Sequence, residues 1–223
     1  MICMGQFCRL AAVATILAAA GCATSDNGND TAPSPAVGVQ ARADTPAATL
    51  RERIDSLLQE RVALACDATG AALAGRNDEF IAAANALDSN SQEFAAAIGS
   101  IYGADAQNAI LKLWRDQTEY LVDYTQGVLS GDQAKQTAAK VNLVSAADEI
   151  ATYLETLTNG RLKKEVVAEM IKTHVSIMAD IISAQQAKDY ATAYNKQRDA
   201  EHQVLNIGDP LADAIVDQFP EKF

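Results

Sequence analysis

The chain has 223 residues, of which 49% are hydrophobic, 5% aromatic and 21% charged, and its formal net charge is -11. This apolar fraction is enough to build a core, which excludes wholesale disorder. With 18 basic against 29 acidic residues, the chain lacks the positive charge that a phosphate backbone requires, so no nucleic-acid partner is expected.

The first 21 residues are typical of a targeting segment. Arg9 precedes an apolar run over residues 10–20, which is too short for a permanent membrane span. The run ends in Ala19-Ala20-Gly21-Cys22, and small residues directly before a Cys resemble a bacterial lipobox. The resemblance implies cleavage before Cys22 and acylation of Cys22 with chains such as palmitate. The alternative is an ordinary secretory signal that is cleaved nearby, and both interpretations place the protein outside the cytoplasm.

Residues 22–46 are rich in Gly, Pro, Ser, Asn and Asp and have no apolar period, which predicts a flexible tether. The folded domain is then predicted over residues 47–223. Of the four Cys, Cys3 and Cys8 fall in the leader and Cys22 is the lipid-anchor candidate. Cys66 is left as a single thiol, which we interpret as a small buried residue and not as a nucleophile. An intramolecular disulfide and a Cys-rich zinc site are therefore not expected.

The apolar pattern after residue 49 is helical throughout and predicts an all-α bundle of about six helices. Thr45-Pro46 is a typical helix start, and Asp78 is a candidate cap of the next helix. Gly75, Gly103 and the Asn159-Gly160 pair are typical stops. We expect helices over about residues 47–74, 78–102, 104–130, 132–158 and 162–187, and a sixth from residue 189. A break is predicted near residues 89–91 of the second helix. Another is predicted at Gly208-Asp209-Pro210, before a last short helix.

A repeat of about 56 residues underlies this pattern. The run Leu113-Trp114-Arg115-Asp116-Gln117 precedes Met170-Ile171-Lys172-Thr173-His174 by 57 residues, and each is followed by an acidic turn, at Asp132 or Asp189. Three helical hairpins are therefore predicted. Each is too narrow to bury its own apolar face, so they must pack on one another as a bundle or a short solenoid.

Aligning the hairpins places one polar residue on the apolar face of each first helix. These three residues are Arg61, Gln117 and His174. A large polar group that faces a core costs free energy unless it is hydrogen-bonded or binds a ligand, so this polar layer is a candidate site.

A second hypothesis concerns copper. Met170, His174 and Met178 have a spacing of four residues, and His202 follows on the next helix. Thioether and imidazole donors suit Cu(I), so these four side chains are candidate metal ligands. The alternative is that the two Met fill the core and that His174 is a hydrogen-bonded core histidine.

Several short runs resemble a family of bacterial envelope helical proteins that are sometimes labelled copper amine oxidase-like. The runs are Leu87-Asp88-Ser89-Asn90-Ser91, Ala97-Ile98-Gly99-Ser100-Ile101-Tyr102-Gly103, Leu113-Trp114-Arg115, Val122-Asp123-Tyr124-Thr125, Thr173-His174-Val175, Asp189-Tyr190-Ala191 and Phe219-Pro220-Glu221-Lys222-Phe223. The resemblance covers roughly residue 50 to the end. It implies His at the positions of Arg61 and Gln117, and this chain keeps only His174 and His202. Arg61 would repel a cation unless it pairs with an acid.

Catalytic motifs are not found in the sequence, which has neither a nucleophile elbow nor a phosphate loop nor a Glu-x-x-His pair. We therefore expect a lipid-anchored, non-enzymatic cell-envelope protein with a binding or structural role. Its membrane contact would be the lipid anchor, and the protein or small ligand that it binds is not specified by the sequence. One alternative is a copper or other metal-binding envelope protein. Another is an enzyme whose activity uses the polar layer of Arg61, Gln117 and His174.

Overall fold

The computed structural model describes residues 45–223, and every regular element there is an α-helix. In chain order the helices are α1 (Pro46–Leu73), α2 (Asn77–Tyr102), α3 (Ala104–Ser130), α4 (Gln133–Leu157), α5 (Lys164–Gln186), α6 (Tyr190–Gln203) and α7 (Leu205–Gln218). α6 and α7 are nearly continuous, because Val204 ends one and precedes the other. The described helices thus form six rods, and the predicted all-α bundle is confirmed. The predicted leader and Cys22 lie outside the described residues.

Three helix starts follow from local capping. The side chains of Thr45, Asp132 and Asp189 accept hydrogen bonds from backbone N–H groups of the first turns of α1, α4 and α6, at 3.1, 3.0 and 3.2 Å. Each bond satisfies a donor that the helix itself leaves unpaired. The Thr192 hydroxyl and, to a smaller extent, the Thr192 backbone N–H lower the pKa of the Asp189 carboxyl.

Three details of the predicted boundaries are wrong. α2 continues through residues 89–91, where the hydroxyls of Ser89 and Ser91 donate to carbonyls one turn back instead of breaking the helix. Asp78 lies inside the first turn of α2 and does not cap it. Gly208 and Pro210 lie within α7, and the interruption falls at Val204 instead. Gly208 is buried, and a Cβ there would meet Asp55 and Leu58 of α1, so close packing holds this part of α7 in place.

The helices pack as hairpins around a common centre. α1 packs with α2, α3 with α4, and α5 with α6, while the first helices α1, α3 and α5 also contact one another pairwise. α1 further contacts α6 and α7, so the arrangement closes into a bundle and is not an open solenoid. Large side chains from every layer are fully buried in one core, among them Ile54, Phe94, Ile110, Ile150, Ile182 and Ile215.

None of the helices in residues 45–223 combines the length and the apolar character that a membrane span needs.

Candidate functional site

The three residues of the predicted polar layer line one cavity. Arg61 from α1, Gln117 from α3 and His174 from α5 surround a space of about 30 Å³ in the middle of the bundle. Such a volume holds about two water molecules. The remaining walls are mostly apolar and consist of Val62, Ala65, Leu87, Thr118, Leu121, Leu143, Val175 and Met178. The cavity lies where α1, α3 and α5 meet, which is why residues of all three hairpins reach it.

Arg61 is held in this layer by neutral partners. Its Nη1 donates to Ser91 Oγ at 3.1 Å, and its Nη2 donates to Thr118 Oγ1 at 3.0 Å, Trp114 O at 3.2 Å and Gln117 Oε1 at 3.3 Å. The guanidinium carbon also lies 5.8 Å from the centroid of the Trp114 ring. Within residues 45–223 Arg61 makes no salt bridge. Burial lowers the pKa of Arg61 to about 10, so the residue remains a cation at neutral pH.

His174 is a neutral imidazole beside that cation. Burial and, to a smaller extent, the positive charge of Arg61 lower its pKa to about 4, while the neighbouring Gln203 amide acts in the opposite direction. Gln203 Oε1 nevertheless makes no hydrogen bond of normal geometry in the described part of the chain. His174 Nδ1 is also buried without a protein partner among residues 45–223. A buried ring nitrogen without a partner is costly, which marks this position as an incomplete polar site.

A second polar contact recurs at equivalent positions of two hairpins. Asn90 Nδ2 donates to Leu57 O at 3.0 Å, and Gln203 Nε2 donates to Met170 O at 2.8 Å. Leu57 precedes Arg61 by one turn, and Met170 precedes His174 by one turn. The middle hairpin has Ala146 at the matching position. This recurrence supports the repeat. Two amide residues in the same register are the sequence signal by which the contact could have been found.

The candidate copper ligands do not line one cavity. Met178 shares the polar cavity with His174, whereas Met170 faces a separate surface groove that Glu165 and Glu169 also line. His202 is exposed to solvent. Among the described residues no group of three His, Cys, Asp or Glu side chains is placed to hold a metal ion. The Arg61 guanidinium beside His174, without an acid to neutralise it, further disfavours a cation at this point.

An apolar pocket that the sequence did not indicate adjoins the polar cavity. Its volume is about 170 Å³, and it lies between α1, α2 and α3. The two spaces share four lining residues, which are Ala65, Leu87, Thr118 and Leu121. Ala68, Ala72, Phe80, Val122 and Leu129 extend the apolar wall. Asn77 and the half-exposed Leu129 also line the pocket and mark its opening to solvent. The four shared side chains form the boundary between the two spaces, with Arg61, Gln117 and His174 on one side and a mostly apolar surface on the other.

Cys66 does not have the properties of a nucleophile. Its side chain is 3% exposed, and burial raises the pKa of the thiol to about 12. Because the thiolate is the reactive form, a thiol with this pKa is inert at neutral pH. The sequence-based interpretation of Cys66 as a small buried residue agrees with this placement.

Comparisons of the chain with protein-family models, with curated proteins and with solved structures found no match. The resemblance to envelope helical proteins therefore stays a prediction, and the roles of the residues rest on their own geometry.

Proposed function

We propose that this chain is a lipid-anchored, non-enzymatic protein of the bacterial cell envelope whose helical bundle binds a small ligand. The observation that carries the binding role is the polar cavity of Arg61, Gln117 and His174 beside an apolar pocket. A bundle with a purely structural role gains nothing from an unpaired cation and an unpartnered imidazole in its interior, since apolar side chains in their place would be cheaper.

The same groups argue against an enzyme. A general base needs a pKa near the working pH, and burial lowers the pKa of His174 to about 4. A thiol nucleophile needs a depressed pKa, and that of Cys66 is raised. What the cavity offers is hydrogen-bond donors and one positive charge, which are means of holding a ligand.

The anchor is proposed from the sequence around Cys22 and is tested by its removal. In cells labelled with a palmitate analogue, the wild-type chain should carry the label and sediment with membranes. Cys22→Ala should lose the label, because the thiol that accepts the acyl chain is gone. Cys66→Ala is the matched control and should keep the label as wild type does. Label that persists in Cys22→Ala would contradict the anchor.

The binding role is tested with a small fluorescent aromatic anion, salicylate, whose ring matches a pocket of about 170 Å³. The probe is added to the full chain carrying Cys22→Ala, which removes the thiol that accepts the acyl chain. We expect saturable binding to the native protein, and we expect Val122→Phe to weaken it, because Val122 lines the apolar pocket. Ala109→Phe, in a groove between α3 and α4, is the control of equal size. No saturable binding, or equal binding by the two variants, would contradict a ligand pocket at this place.

A further inference from the structure

We propose that the ligand is a small aliphatic monocarboxylic acid, whose carboxylate lies against Arg61 in the polar cavity and whose chain fills the adjoining apolar pocket. This inference rests on the proposed binding function and names the chemical class of its ligand.

The charge at the inner end of the site selects an anion. Arg61 is a guanidinium with only neutral partners in residues 45–223, and moving such a cation out of water is costly unless an opposite charge compensates it. The other titratable residue on the cavity wall, His174, is neutral and adds no charge. One uncompensated positive charge matches one negative charge, which favours a monoanion over a phosphate or another polyanion.

Hydrogen-bond donors for that anion surround the cavity. A guanidinium has five N–H groups, and Arg61 uses Nη1 and Nη2 for its protein contacts, while Nε donates to no protein atom of the described part. Gln117 Oε1 accepts from Arg61, which leaves the Gln117 amide nitrogen as a donor. His174 also lines the cavity, but its ring lies next to the Gln203 amide, so it is a wall residue here and is not counted as a donor to the anion. A carboxylate has the acceptor capacity to meet the free Arg61 and Gln117 donors.

The walls define the remainder of the ligand. The polar cavity holds only about 30 Å³, so it accommodates a headgroup with few atoms. The neighbouring pocket of about 170 Å³ has a mostly apolar surface of Ala, Leu, Val and Phe side chains. Thr69, Thr118 and Thr125 also line it, but their hydroxyls donate to backbone carbonyls, so a polar tail would find few partners there. A cavity of about 150 Å³ takes up a benzene-sized molecule, so the apolar part has roughly six to eight carbon atoms. Asn77 and Leu129 provide the opening through which such a chain enters.

The inference is tested with four probes that separate head from tail. Octanoate, 1-octanol, octylamine and acetate are titrated into the full chain carrying Cys22→Ala at neutral pH. Binding is followed by calorimetry and by the fluorescence of Trp114, the single Trp of the chain, whose carbonyl accepts from Arg61. We expect octanoate to bind at least about tenfold more tightly than each of the other three, because only octanoate has both charge and tail.

Three variants then test where the carboxylate and the apolar chain of the ligand lie. Arg61→Gln removes the charge and should weaken octanoate at least about tenfold without affecting 1-octanol. Arg115→Gln removes an exposed Arg that pairs with Asp88 and should leave binding unchanged. Val122→Phe should weaken octanoate and 1-octanol alike, and it keeps the test decisive if Arg61→Gln does not fold.

The possible failures are distinct. If 1-octanol binds as tightly as octanoate, or if folded Arg61→Gln retains the octanoate affinity, the carboxylate assignment is overturned while the binding function stands. If neither these probes nor the fluorescent anion bind, the proposed binding function fails as well.

Discussion

The buried imidazole makes the stability of this bundle depend on pH in a way that can be calculated. The pKa of His174 falls from 6.5 to about 4 on folding, because burial and the Arg61 charge both disfavour the imidazolium. Below pH 6.5 the unfolded chain therefore binds a proton that the folded chain rejects. Stability that is fully present at neutral pH is lost progressively as the pH falls from 6.5 toward 4.

The magnitude follows from the two pKa values. Between pH 7 and pH 5, the difference in proton binding at His174 is worth about 2 kcal/mol of unfolding free energy. His174→Gln keeps a polar side chain of similar size but does not titrate. Between pH 7 and pH 5, the unfolding free energy of this variant should therefore fall by about 2 kcal/mol less than that of wild type. This difference does not depend on how stable the two proteins are at pH 7.

The assay is urea unfolding at pH 7 and pH 5, followed by far-ultraviolet circular dichroism. His202→Gln is the matched control, because His202 is exposed, and it should retain the wild-type pH dependence. The imidazole resonances report the pKa of His174 directly. Equal losses for wild type and His174→Gln, or a measured pKa near 6.5, would refute the reasoning and show that water or an anion compensates the ring.

Three further predictions test the rest of the site and its support. Arg61→Met should raise the pKa of His174, because it removes a neighbouring positive charge. The same variant should leave the unfolding free energy unchanged or raise it by about 1 kcal/mol, since an apolar chain replaces a desolvated cation. If urea unfolding shows that Arg61→Met loses more than about 2 kcal/mol, Arg61 stabilises the fold. Gly127→Ala should lower the unfolding free energy by about 1–3 kcal/mol, because its Cβ would come within 2.9 Å of the backbone nitrogen of Gln136. In Gly70→Ala the methyl group would meet only a flexible side chain, so thermal unfolding should show a smaller loss of stability for this variant. Titration of Cu(I) into the full chain should form no complex that His174→Ala abolishes, and a complex that disappears in this variant would revive the metal hypothesis.

The sequence predicts the parts of this fold that depend on local chemistry. Thr45 starts α1 as expected, and Asp132 and Asp189, which were expected as acidic turns, cap α4 and α6, because a side-chain oxygen needs only its own first turn as a partner. The boundary at Val204 and the continuity of α2 could not be predicted, since they depend on packing against distant residues. Gly208 shows why: its contact is with α1, far away in the chain.

The candidate site was predictable in part for a similar reason. The repeat alone aligns Arg61, Gln117 and His174, and equivalent positions of packed hairpins meet at one place. The proposed Met pair failed to meet, because eight residues rotate a helix about 80° past two full turns and thus separate Met170 from Met178. The apolar pocket was not foreseeable, because its volume is what remains after many side chains from three helices have packed.

The contact of α1, α3 and α5 around one cavity has a consequence for how such a site diversifies. Three identical hairpins assembled from separate chains would present the same residue three times at the meeting point, as symmetric oligomers must. Three hairpins joined in a single chain are free of that constraint. Here a cation, an amide and a neutral imidazole occupy equivalent positions, so one approximately threefold frame has acquired a directional, chemically uneven interior.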